Sequence, residues 1–366
     1  MGHTAGGGTT SGDDNTFVGF AAGLTNSTAS DNTGIGFQAL YSLAGGASNT
    51  ALGHNALFNV TTANQNIGIG FSAGQSITTG ARNIAIGNNA YDASDGESDN
   101  IAIGFEAMTT NTAGGVQNVA LGVYAMDALT SGDNNVGVGH LALSDLNTGG
   151  HNVAMGTQAL ESVTDGTHNV GIGYRTGDYQ TTLTSGAHNI LIGSYCHTSA
   201  TGSARQIVMG DSVVGSGDNT LTFGNGGTDS AIAFGATSIS APSDIRLKRN
   251  INDDVAGLSF INDLRPVTYE WKKEKDIPED MQAHVTDSEK TFNNDFINHG
   301  FIAQEVKEVI DNHSEIKDGF KMWVEDEIDG RQRIAEGALV PMLVKSVQEL
   351  SAQNADLLAR IETLEG

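Results

Sequence analysis

Lysine is missing from the first 247 residues of this 366-residue chain. Over residues 1–242 only Arg82, Arg175 and Arg205 are basic, against 17 acids, and the formal net charge of the whole chain is −25. No stripe of cations exists that would neutralise phosphates, which argues against nucleic-acid binding. The acidity reads instead as solubility and like-charge repulsion. Cysteine is almost absent too. A lone Cys196 rules out an intrachain disulfide framework, no Cys/His spacing suggests zinc, and neither a metal nor a cofactor is expected. No apolar run reaches the ~18 residues of a membrane helix, so membrane insertion is not expected. The N-terminus lacks signal-peptide features and starts inside a repeat array, which leaves an upstream anchor to a longer parent protein.

What the chain has in abundance is repetition. Asn-x-x-x-Gly begins at Asn15, Asn32, Asn49, Asn66, Asn83, Asn100, Asn118, Asn135, Asn152, Asn169 and Asn189, with a degraded copy at Gln206. Successive starts lie 17 residues apart, except for 18 at Asn118 and 20 at Asn189. Such a period is a solenoid signal. After each Asn comes an apolar–small–apolar triplet, such as Ile84-Ala85-Ile86. Alternation with period two predicts a short strand, its large side chains in the core and its small-residue face open to close approach. Alanine stands seven residues after Asn from Ala22 to Ala159, and Cys196 falls in that register as a small buried substitute. The asparagines are expected to form an amide ladder, and the following glycines to supply a backbone conformation closed to other residues. Twelve coils at about 4.8 Å give a rod of roughly 55–60 Å.

One 17-residue coil buries only two or three medium apolar side chains, a thin core that three packed chains would thicken. A homotrimer is therefore expected. The Asn-(Ile/Val)-Ala-(Ile/Leu)-Gly-x-x-Ala pattern resembles the head repeats of trimeric autotransporter adhesins and related phage fibre repeats, which implies a trimeric parallel β-roll. The threonine pairs are too irregular for an ice-binding ladder, and the Gly-Gly-x-Gly-x-Asp of calcium repeats is absent. His54, His140, His151, His168 and His188 share no ligand register and read as exposed or ladder residues.

The composition changes at Ser243. Of 48 glycines, 42 precede it; both tryptophans and the other 15 basic residues follow it. This divides the chain into a β-structured shaft, 1–242 with repeats over about 15–235, and a second domain, 243–366. The junction reads Pro242-Ser243-Asp244-Ile245-Arg246-Leu247-Lys248-Arg249. A serine and a lysine can form a nucleophile–base pair if the amine is neutral, which burial or nearby Arg246 and Arg249 would favour and Asp244 would oppose. Residues five apart sit on opposite faces of a strand, so the pair demands a bend or a partner from another chain.

Residues 243–366 resemble the intramolecular chaperone, or peptidase S74, domain of phage tail fibres and endosialidase tailspikes. The resemblance rests on Ser243-Asp244-x-Arg246-Leu247-Lys248, on Leu264-Arg265-Pro266-Val267-Thr268-Tyr269-Glu270-Trp271-Lys272, on Gly300-Phe301-Ile302-Ala303-Gln304-Glu305-Val306, and on a long terminal helix over about 336–365. It implies an α+β domain that trimerises, guides folding of the shaft and cuts itself off, with Ser243 as nucleophile and Lys248 as base. Which bond beside Ser243 is cut, and whether Lys248 serves its own chain, stay open in the sequence. Independently, Leu343, Val347, Leu350, Asn354, Leu357, Ile361 and Leu364 follow heptad spacing with Asn354 as a register-setting polar layer. A helix packed on its own domain would show similar spacing.

The expected whole is the distal segment of a phage tail fibre, a virion component assembled in the host cytoplasm. It would recognise a host-cell surface receptor, with glycans as one class. The alternative is a trimeric adhesin on a bacterial surface with an uncleaved trimerisation domain.

Overall fold

The computed structural model describes residues 2–110, 114–236, 239, 243–316, 320, 322–326 and 330–365. Two compact units divide the chain, Met1–Asp244 and Ile245–Gly366.

The first unit is a β-solenoid of about twelve turns. Each coil contributes a three-residue strand directly after its asparagine, from Thr16–Val18 through Ile190–Ile192. These strands, with Gln206–Asp211 and Thr220–Asn225, pair in parallel in chain order. Pairing runs repeat to repeat, Ile84 opposite Ile101 and Ala85 opposite Ala102, so equivalent positions form columns along the rod. The final strand, Ser230–Ala233, turns back antiparallel on Thr220–Phe223. It covers an edge that would otherwise be open to pairing.

Three kinds of residue fill the interior. Coil 32–48 buries Ala39, Leu40 and Leu43; coil 135–151 buries Ala142, Leu143 and Leu146. Cys196 sits fully buried in the alanine column, its Sγ 3.0 Å from the Gly210 carbonyl oxygen, and burial pushes its thiol up. The asparagines line a corner, all but the first fully buried. Asn135 is representative: its backbone N–H and Nδ2 donate to Asn118 Oδ1 at 2.9 and 3.1 Å, and Nδ2 also donates to the Gly149 carbonyl at 2.9 Å. The glycine column keeps φ near +140°, and a Cβ at Gly122 would collide with the Gly139 carbonyl oxygen one coil on.

The strands face the opposite way from the sequence expectation. Small middle residues such as Ala51, Ala85, Ala120 and Ala154 point inward and are fully buried. The large flanking residues point outward: Leu52, Leu121, Met155 and Met209 are each more than 40% exposed. The reason is the width of the coil. Leucines on the opposite turn already fill the space, so that a Cβ on Gly68 would lie 2.6 Å from Leu57 Cγ. Glycine or alanine therefore stands inward in most coils, with Phe17, Leu191 and Val208 at the two ends of the array, and the bulky flanking residues are turned out.

The second unit is a small α+β assembly. Helices α1 (Leu258–Asp263), α2 (Ala303–Asn312) and α3 (Val340–Glu365) accompany two antiparallel pairs, Val267–Tyr269 with Asn298–Gly300 and Trp323–Glu325 with Gln332–Ile334. Its core holds Phe260, Val306, Ile310, Met322, Leu339 and Met342. Glu349 of α3 accepts the Leu258 N–H at 2.8 Å, capping the start of α1. From Leu343 onward α3 buries only Ser346, so most of its length is uncovered in the single chain.

Candidate self-cleavage segment

The seam lies in a solvent-exposed stretch. Residues 243–250 are all exposed in the single chain, with Ile245 and Leu247 at 72% and 68%. Ser243 and Asp244 close the first unit, and Ile245 opens the second. Ile245–Leu247 forms a 3₁₀ turn in which the Lys248 N–H donates to the Ile245 carbonyl at 3.1 Å. This turn includes Arg246 and leads to Lys248 and Arg249; Asn250 then takes a left-handed φ of +53°. A bend thus falls between Ser243 and Lys248. Pro242, the third residue of the expected junction, lies outside the described residues.

Behind the seam, the two inner sequence landmarks meet. Val267–Tyr269 pairs with Asn298–Gly300, the strand that leads into α2. Arg265 Nε donates to Glu305 Oε2 at 2.9 Å while its Nη2 bonds the other oxygen. Residues 274–295, which lack periodicity, form a loop closed on itself: Lys273 and Lys275 both grip Glu289, whose carboxyl they lower to about 2.

One constellation went unseen in the sequence. His313, just beyond α2, places Nδ1 2.8 Å from Glu315 and Nε2 2.9 Å from Asp263 at the end of α1. These carboxylates, Glu315 foremost, raise the imidazole above its ordinary value. Its partner Asp263 is 50 residues away, so no local pattern announced it. Among the described residues no group of His, Cys, Asp or Glu could hold a metal ion, and no helix is long and apolar enough to cross a membrane. His151, His168 and His188 stack as a ladder with ring centroids 4.7 Å apart.

The fold defines a class, a β-solenoid followed by a small α+β domain that ends in a long helix. Residues 243–315 match the family described as the chaperone of endosialidase, peptidase S74, a family of self-cleaving domains. The match begins at Ser243, where composition changes and the first compact unit is closing. No curated protein and no solved structure matches the chain.

Proposed function

We propose that the chain is the distal segment of a homotrimeric phage tail fibre, whose C-terminal domain aligns three chains, lets the solenoid zip and then releases itself beside Ser243. The observation that carries this reading is the family match starting at Ser243, directly behind a repetitive shaft. Two surfaces support the trimer. The outward columns Val18, Ile35, Leu52, Leu121, Met155 and Ile172 run along the solenoid's sheet, and α3 exposes Leu343, Val347, Leu350, Leu357, Ile361 and Leu364 at 44–86%. Apolar surface repeating in this way calls for a partner. Asn354 in the same seam would set the register.

A shaft of near-identical coils needs such help. Chains can pair one coil out of step at little energetic cost, and a C-terminal trimer fixes the starting register. Cleavage then removes the aligning device and leaves the rod kinetically trapped. In the chemistry, Ser243 Oγ adds to the carbonyl of the adjacent peptide bond while Lys248, as a neutral amine, accepts the hydroxyl proton and passes it to the departing nitrogen. Water then hydrolyses the ester. Attack on the preceding carbonyl cuts between Pro242 and Ser243. Lys248 is exposed in the single chain, whereas a neutral amine is favoured by desolvation. Burial by neighbouring chains would supply it, which makes cleavage wait for assembly. The released shaft would then present itself to a host-cell surface receptor.

Denaturing gels with intact mass test the reading. Wild type should yield fragments of about 25 and 13 kDa, the residue shares of the 38.0 kDa chain. Ser243→Ala and Lys248→Ala should stay whole. An intact wild type would favour the uncleaved adhesin, and two fragments from Ser243→Ala would remove the serine from its role.

A further inference from the structure

The coil with the 20-residue spacing takes up its extra residues outside the core. Between Asn169 and Asn189 the chain extrudes a lateral hairpin, Asp178–Tyr179 against Thr181–Thr182, with Gln180 at a φ of +53° between them. The ladder is undisturbed beneath it, since Asn189 Nδ2 still donates to Asn169 Oδ1 at 3.0 Å and Val170–Ile172 still pairs with Ile190–Ile192. Leu183 takes the buried interior place, so the hairpin adds surface and leaves the core intact.

That surface is aromatic. Tyr174, Tyr179 and Tyr195 gather there, three of the six tyrosines before the seam. Tyr195 meets Tyr174 at 5.2 Å and 85°, and Tyr179 at 4.8 Å and 62°. In the Phe20–Phe37–His54–Phe71 column rings stack face on face and cover one another, whereas Phe105, Tyr124 and His140 also meet edge on. Edge-to-face packing leaves ring faces open, and Tyr174 and Tyr179 remain 42% and 36% exposed. Polar groups stand beside the rings. Asp178 accepts from Ser162 Oγ at 2.6 Å and pairs with Arg175 at 3.5 Å. Glu161 accepts from Gln158 at 2.7 Å and has the Asp178 carboxylate as a neighbour, and Arg175 Nε is buried with no partner.

We propose that this hairpin and its tyrosines form a saccharide-binding platform for a neutral or amino sugar. The weakly positive C–H face of a pyranose suits the negative face of an open aromatic ring. A few fixed acceptors and donors around an apolar patch orient hydroxyl groups. Asp145, Glu161 and Asp178 outnumber Arg175, so a uronic or sialic acid is repelled. The proposal rests on the reading of the shaft as the receptor-facing part of a fibre, and it specifies the receptor chemistry.

The test passes the full-length chain over an immobilised panel of neutral, amino and uronic-acid oligosaccharides, with a denaturing gel of the same sample recording cleavage. Retention on neutral or amino sugars and none on uronic acids is expected. Tyr174→Ala with Tyr179→Ala should weaken retention about tenfold or more, while Tyr179→Phe, which keeps the ring, should bind like wild type. Melting curves establish that the variants remain folded. No retention on neutral or amino sugars, equal retention of uronic acids, or unchanged binding by the folded double variant would overturn the platform. A chain that binds sugar without cutting itself would leave it standing and count against the cleavage reading alone.

Discussion

Each asparagine of the ladder bonds in several directions, which is why one residue type repeats at one place in the coil. Asn118 Oδ1 accepts two bonds from Asn135, while its Nδ2 reaches Asn100 Oδ1 and the Gly132 carbonyl. Asn118→Ala would strand buried groups in both adjoining coils, at about 1–3 kcal/mol each, so a clear drop in the melting temperature of the β signal is expected. Gly122→Ala should be worse, because the added methyl meets backbone that has nowhere to go and the residue keeps a φ of +147°. Loss of soluble shaft in that variant, against mere weakening in Asn118→Ala, checks the order. In the second unit, His313 has a raised folded value, so its ion pairs contribute fully below about pH 6.5 and fade as pH rises through that value. The helical melt of wild type should therefore fall relative to His313→Gln between about pH 6 and 8. Parallel pH profiles for the two proteins would refute the contribution.

At the scale of elements, one turn wall of the solenoid holds Asp92, Asp127, Asp145 and Glu161, each raised by burial first and then by neighbouring carboxylates. Raised carboxylates favour the protonated folded state, so this contribution is present near pH 4 and is lost as pH climbs through the raised values. The shaft should melt at lower temperature at pH 7 than at pH 5, and a flat profile would contradict the account. Helix α3 makes the second prediction at this scale. Leu350→Asp with Leu357→Asp places charge in the proposed seam without touching the intradomain core of Phe260 and Met342. Sedimentation should then show monomer, and cleavage beside Ser243 should slow sharply if assembly buries Lys248. Cutting at the wild-type rate in a monomer would separate the two events.

For the whole molecule, the coils and the ladder were legible in the sequence because a fixed period leaves its mark on every repeat. Which face of each strand points inward was not. Alternation tells that Ile84 and Ile86 share a side, but the width of the coil decides which side that is, and width depends on Leu57 and its equivalents across the interior. The spacing of 20 before Asn189 stood out as an exception to the period, yet the meeting of Tyr174, Tyr179 and Tyr195 came only from stacking the coils. Long-range partners such as Leu258 with Glu349 carried no local signal at all. The inversion of the strands bears directly on assembly, since it places apolar columns on the outside of a thin rod, where other copies can cover them.

The central claim is that the C-terminal domain is needed to build the shaft but not to hold it. Refolding tests this most directly. Released shaft and uncut Ser243→Ala chain are each denatured and returned to native buffer, and the trimer regained is measured by sedimentation. The account predicts that the uncut chain recovers its trimer while the released shaft, stable until it was unfolded, does not. Equal recovery of a correctly registered trimer from the shaft alone would contradict it.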